Sequence, residues 1–160
     1  DARPLRLVGN LPYNISTPIL FHLLESRAVI ADMHFMLQKE VVERMAAGPG
    51  SKTYGRLSVM LQAYCEVMSL FDIGPGAFKP APKVDSSIVR LVPKTEEQIH
   101  ITDARRFAEI VAASFAQRRK TLRNNLKGLL STEQIEQAGI DPGVRAETLD
   151  VADFRRLAVI

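Results

Sequence analysis

The chain has 160 residues, 46% hydrophobic and 24% charged, which is the composition of a soluble globular protein with room for one ordinary domain or a domain and a small appendage. No apolar run approaches the roughly 18 residues of a membrane span, and the opening "DARPLRLVGN" lacks the basic-then-apolar pattern of a signal peptide. Cys65 is the single cysteine, which excludes a disulfide framework and a cysteine zinc cluster and fits a reducing, cytoplasmic compartment.

"LRLVG" (Leu5 to Gly9) reads as a short strand buried on both faces. Thr17 and Pro18 suit the cap and first position of a following helix, "ILFHLLES". "MHFMLQ" is a second strand and "KEVVERMAA" a second helix. Strand and helix alternating at this spacing predict a parallel α/β sheet. "GPGSKTYG" is a loop by composition, "RLSVMLQAY" a helix and "CEVMSLFDI" a strand. "GPGAFKPAPK" is too rich in proline and glycine for regular structure, and "SSIVRLVP" is a last strand. That last pair of strands adds antiparallel pairing at the sheet edge.

After "KTEEQ" the pattern becomes helical and no strand is expected. "ARRFAEIVAASFAQRRKTLRNNLKGLL" has helical spacing that lines up Phe107, Ile110, Val111, Ser114 and Phe115. Ser131 with Gln134 forms a capping box, and Asp150 caps the last helix. A boundary near residues 94–100 divides an α/β part, residues 1–95, from a small helical part, residues 96–160. Charge follows that division. The window Asp103 to Lys127 holds seven basic and two acidic residues, so the net +3 is concentrated on one region and points to an anionic partner.

The chemistry-bearing stretch is "NLPY", Asn10 to Tyr13. It leaves a strand at its carboxyl end, where open α/β sheets form their ligand crevice. Asn10 offers an amide oxygen, Pro12 a carbonyl in a rigid turn, and Tyr13 a flat ring. Two acceptors and a stacking ring suit a nucleobase with an exocyclic amine. An adenine amine is a poor nucleophile; acceptors that hold its hydrogens turn its lone pair toward an electrophile such as a methyl sulfonium. The plain alternative is a strand-terminal turn with a packing tyrosine.

"VGNLPYNISTPILFHLL", "MLQKEVVERM", "GSKTYGRLSV", "FKPAPKVDSSIVRL" and "RRKTLRNNL" resemble, in order and over nearly the whole chain, the adenine-dimethylating ribosomal RNA methyltransferases of the KsgA/RsmA family. The resemblance implies a Rossmann-like methyltransferase sheet followed by a small all-helical domain. It implies transfer of methyl groups from S-adenosylmethionine to two adjacent adenines near the 3′ end of 16S rRNA in the immature small subunit. Under it, Asn10 touches the cofactor's reactive end and accepts from the target amine, and Leu11 shares the cofactor contact. Pro12 acts through its carbonyl, and Tyr13 and Phe78 hold the base from its two faces. Lys83 and Ser86 receive no separate role. Phe78 has a rival reading as a plug in a local apolar gap.

Arg118, Arg119, Lys120 and Arg123 are too dense for simple pairing with acids on a helix, so phosphate contact is favoured over a solvated face. Tyr54 orders a loop near the site, and Cys65 is core. His22, His34 and His100 show no ligand spacing, and no metal site is expected.

The glycine-rich turn and acidic residue that such a sheet uses to bind its cofactor are not found. "GPG" at 48–50 and 74–76 opens no helix directly after a strand. The chain is therefore expected to be the carboxyl-terminal part of the enzyme, without turnover alone and with an edge and apolar sheet face exposed. Two alternatives stand beside this reading: a catalysis-independent ribosome-assembly RNA-binding factor, and a 23S rRNA adenine dimethyltransferase.

Overall fold

The computed structural model describes residues 4–160. Four strands form one sheet in the order β1-β2-β4-β3. They are β1 (Leu5–Asn10), β2 (Ile30–Gln38), β3 (Cys65–Ile73) and β4 (Ser86–Pro93). β1 and β2 are parallel, and β4 runs antiparallel to both β2 and β3. The expected parallel unit and the antiparallel pair are therefore both present. The carboxyl ends of β1, β2 and β3 consequently lie along one edge of the sheet.

Helix α1 (Ser16–Glu25) returns from β1 to β2, and α2 (Lys39–Ala46) and α3 (Arg56–Tyr64) lie between β2 and β3. Alternation along the strands decides which face they cover. Met33, Phe35 and Leu37 of β2 pair with Leu91, Val89 and Ser87 of β4, and all six are buried. The α2–α3 corner above them is tied by side chains. Gln62 Nε2 donates to the carbonyls of Met45 and Ala47 at 2.9 and 2.8 Å. The Ser58 hydroxyl donates to that of Arg44. These bonds satisfy carbonyls that the end of α2 leaves without intrahelical partners.

The opposite sheet face is open. Val8 is 83% exposed and Phe71 59% exposed, and Met36 and Ile88 between them are half-buried. Among the described residues β1 is an edge strand, with Leu5 and Val8 both exposed, which corrects the reading of "LRLVG" as buried on both faces and agrees with the expected exposed edge and apolar face. An apolar pentapeptide gives the strand but not its neighbours. On this face Asp32 is buried and receives a two-pronged contact from Arg6, at 3.0 and 3.1 Å, and a further one from Arg90 at 3.4 Å. The Arg6 hydrogen bond outweighs desolvation and holds the Asp32 carboxyl below the usual carboxylate range.

Beyond β4 the described chain is helical: α4 (Glu96–Ile99), α5 (Ala104–Ser114), α6 (Leu122–Asn125), α7 (Thr132–Gln137) and α8 (Val151–Ala158). Thr95 with Gln98, Ser131 with Gln134 and Asp150 with Asp153 form capping boxes, and Asp103 caps α5. Two boundary expectations fail. Thr17 is not a cap, because a 3₁₀ turn (Tyr13–Ile15) runs directly into α1 and the Ser16 hydroxyl donates to the Tyr13 carbonyl at 3.1 Å. The long pattern from Ala104 is not one helix. It breaks after Ser114, where Asn125 Nδ2 donates to the carbonyls of Ser114 and Gln117, both at 2.9 Å. The reversal carries Leu122 and Leu126 back into the core, both fully buried.

That core is continuous across residue 95. Tyr54 is fully buried, its ring edge-on to Phe115 and its hydroxyl donating to the Leu149 carbonyl at 2.7 Å. Tyr64 meets Phe107 edge-on, and Gly50 N donates to the Glu147 carbonyl at 2.7 Å. Cys65 is buried, and burial pushes its thiol pKa up to about 12.

Candidate functional site

Two groups of sequence-selected residues fall at different places. The first lies at the carboxyl edge of the sheet. Register carries a straight row across it: Asn10 pairs with Met36, Met36 with Ile88, and Ile88 with Phe71. The "NLPY" turn leaves the sheet from this row, at Asn10. The loop bearing Phe78 leaves it after Ile73, at the end of β3.

Asn10 and Pro12 are exposed, and Tyr13 is 66% exposed, so the ring is not a packing residue of the core. Leu11 packs partly against the core, and its N–H donates to the Met36 carbonyl at 3.2 Å, which holds the turn to β2. Pro12 is extended (φ −60°, ψ 138°), and its carbonyl accepts from Ile15 N at 3.3 Å. A carbonyl has two lone pairs, so one remains for a ligand.

Phe78 is half-buried, directly after a 3₁₀ turn (Pro75–Ala77), with its N–H donating to the Pro75 carbonyl at 3.2 Å. The next peptide bond, Lys79–Pro80, is cis.

The loop carrying Phe78 is clasped at its base by residues the sequence reading did not select. Lys39, at the start of α2, sets its ammonium 3.2 Å from Asp72 of β3. Its backbone N–H donates to the Asp85 carbonyl at 2.9 Å. The buried Ser87 hydroxyl donates to the same Asp72 carboxylate. The Ser87 hydrogen bond, then that of Lys39, hold the Asp72 carboxyl below its usual range. Ser87 was detectable in principle: it is a polar residue at an inward position of β4. Its partners are distant in sequence and were not. Gln38, Lys39, Glu40, Glu43, Lys83 and Asp85 line a crevice of about 410 Å³ at this edge. Asn10, Tyr13 and Phe78 do not line it.

The second group is the basic turn between α5 and α6. Arg118 makes internal contacts. Its guanidinium donates to the carbonyls of Tyr54 and Lys52, at 3.0 and 2.6 Å, and lies 3.1 Å from Glu147. It clamps the 51–54 loop while its side chain stays 45% exposed. Arg119, Lys120 and Arg123 are exposed. They lie on a turn and a one-turn helix, where Arg123 N donates to the Pro142 carbonyl at 2.9 Å. The GPG run at 48–50 follows α2, and the one at 74–76 directly follows β3 and enters the 3₁₀ turn Pro75–Ala77. Among the described residues no cluster of His, Cys, Asp and Glu could hold a metal, and no helix is long and apolar enough to cross a membrane.

The sheet order, with three strand ends sharing one edge and an antiparallel strand inserted between β2 and β3, defines a Rossmann-like fold of the kind found in rRNA methyltransferases. The family model described as Ribosomal RNA adenine dimethylase matches residues 1–160, and the chain belongs to that family. It is 66% identical over 158 residues to "Ribosomal RNA small subunit methyltransferase A" of Xanthomonas oryzae pv. oryzae, covering 99% of this chain and 60% of that protein. The protein of the same name from Xanthomonas campestris pv. campestris is 65% identical over the same span. The chain thus spans about 60% of the length of the relatives it matches. A crystal structure of a dimethyladenosine transferase from Plasmodium falciparum superposes with a TM-score of 0.84 at 28% identity, covering 95% of this chain and 64% of that one. The 23S rRNA methyltransferase ErmE superposes at 0.73 with 24% identity, which is a likeness of fold.

Proposed function

We propose that this chain is the target-holding and RNA-docking portion of an S-adenosylmethionine-dependent enzyme that dimethylates two adjacent adenines near the 3′ end of 16S rRNA during small-subunit maturation. The observation that carries the reading is the exposed "NLPY" turn at the carboxyl end of β1, with the Phe78 loop leaving the same sheet edge. Residues 1–95 form the methyltransferase part and residues 96–160 the RNA-binding part.

In this reading the Asn10 amide oxygen and the free lone pair of the Pro12 carbonyl accept the two hydrogens of the adenine amine. The amine is fixed with its nitrogen lone pair directed away from both acceptors. Tyr13 and Phe78 cover the two faces of the base, which excludes water and limits rotation. The bound cofactor supplies an electrophilic methyl group, and the Asn10 side chain and Leu11 backbone are the residues here that fit its reactive end. The work of this chain is orientation, so no residue with a displaced pKa is needed as a strong base. Arg119, Lys120 and Arg123 bind RNA phosphates.

The test is a chimera of this chain with the preceding portion of the Xanthomonas oryzae relative. Transfer of labelled methyl groups to adenines of immature small subunits is expected. Asn10→Ala should abolish it while leaving RNA binding intact. A folded chimera that binds small subunits but transfers no methyl group would overturn the enzyme reading in favour of a binding-only assembly factor. Preferential methylation of 23S rRNA would overturn the substrate assignment.

A further inference from the structure

Lys127 is a cation of the basic region that the RNA-binding group does not use. Lys127 follows Arg123 by four residues and is exposed. The two line a groove of about 580 Å³ that runs between α6 and α7. Asn124 and Thr132 add an amide and a hydroxyl to its wall, and Leu129 and Leu130 add apolar lining. The turn that shapes it depends on Gly128, whose φ of +91° is left-handed and strained for any residue with a side chain. Ser131 and Gln134 also line it, but their side chains are occupied by the capping box of α7. Glu133 is the one acid on its wall.

We infer that this groove is a second seat for the RNA backbone, in which Lys127 and Arg123 each neutralise a phosphate and Asn124 and Thr132 hydrogen-bond phosphate or sugar oxygens. The inference rests on the RNA-docking reading above and extends it. Arg123 belongs to the exposed cations Arg119, Lys120 and Arg123 and also lines the groove, so the groove adjoins that basic group and extends it as a cationic track. Two cations against one carboxylate give the groove a net charge of only about +1 from its lining side chains, too little to attract RNA alone. The groove therefore takes a strand already held by Arg119 and Lys120. Glu133 weakens that hold by repulsion and sets how tightly the strand is retained. Phosphate contacts of this type position the nucleic acid without reading its sequence.

The opposite signs of Lys127 and Glu133 provide a test that structural damage does not imitate. The chimera described above is titrated with a fluorescently labelled RNA spanning the small-subunit 3′ region, over a series of KCl concentrations. Lys127→Ala is expected to weaken binding severalfold and to reduce the slope of log K against log salt by about 1. Lys127→Arg should restore both. Glu133→Gln should tighten binding. If Arg119→Ala and Arg123→Ala weaken binding while Lys127→Ala and Glu133→Gln leave affinity and slope unchanged, the groove assignment is wrong and RNA docking at the turn stands. If wild-type binding is absent, or no variant including Arg119→Ala alters it, the docking reading and the groove assignment fail together. Lys127 and Glu133 are exposed, so thermal unfolding should match wild type and certify each variant as folded.

Discussion

Tyr54→Phe removes one oxygen atom from the contact between the sheet-bearing and helical parts. The ring is fully buried and keeps its edge-on contact with Phe115, centroids 6.0 Å apart, so no cavity of consequence is opened. What is lost is the 2.7 Å hydrogen bond to the Leu149 carbonyl, made across 95 residues of chain. A typical intramolecular hydrogen bond contributes about 1 kcal/mol net, and a buried acceptor left without its partner costs about 1–3 kcal/mol. The expected destabilisation is therefore about 2 kcal/mol, which for a chain of this length lowers Tm by roughly 4–8 °C. The assay is equilibrium urea unfolding, followed by far-ultraviolet circular dichroism and by amide hydrogen exchange at β2 and α8. Because the core is continuous, both regions should lose stability equally in a single transition. Destabilisation confined to α8, or a loss below about 0.5 kcal/mol, the usual range for surface changes, would refute the claim that the two parts fold as one unit.

Two further outcomes follow from the titratable groups. Asp32 and Asp72 both have depressed folded pKa values, Asp32 first through Arg6 and Asp72 first through Ser87. A lowered folded value contributes stability that is fully present above the unfolded carboxylate pKa of about 4 and is lost as pH falls through the folded one. Acid unfolding monitored between pH 5 and 2 should therefore begin near pH 4, and Asp72→Asn should flatten that dependence; an unchanged acid limb would contradict the clasp. Cys65, with its thiol raised to about 12 by burial, should not react with a disulfide reagent at pH 8 until urea unfolds the chain. Rapid labelling of native protein would show that β3 opens locally.

Much of the fold was legible because periodicity and capping are local. The capping boxes at Ser131 and Asp150 follow from residues three apart, and all four strands from short apolar runs. What failed depends on contacts between distant residues. The break after Ser114 is stabilised by Asn125, which helical spacing alone treats as another turn of the same helix. The burial of β1 depends on what lies beside it, which a pentapeptide does not encode. At the site, the sequence order located the "NLPY" turn and the Phe78 loop, and strand register shows why they share an edge. The clasp of Lys39, Asp72 and Ser87 was invisible because its members lie 33 and 15 residues apart along the chain. Charge density singled out Arg118 but could not show its contacts within the fold. A guanidinium with five donors serves carbonyl oxygens as readily as phosphates, and here it contacts three carbonyls and Glu147.

That clamp has a geometrical consequence. Arg118 fastens the basic turn to the loop that precedes α3, and the Tyr54–Leu149 and Gly50–Glu147 bonds fasten the same loop to the segment before α8. α3 continues directly into β3, whose far end launches the Phe78 loop. The span from the cationic track to the base-holding edge is thus set by packed elements rather than by a hinge. On the proposed function, such a part works as a gauge. In that reading it would admit an adenine only when the base lies at a fixed reach from the anchored backbone, and selection would come from distance within the folded RNA rather than from the letters around the target.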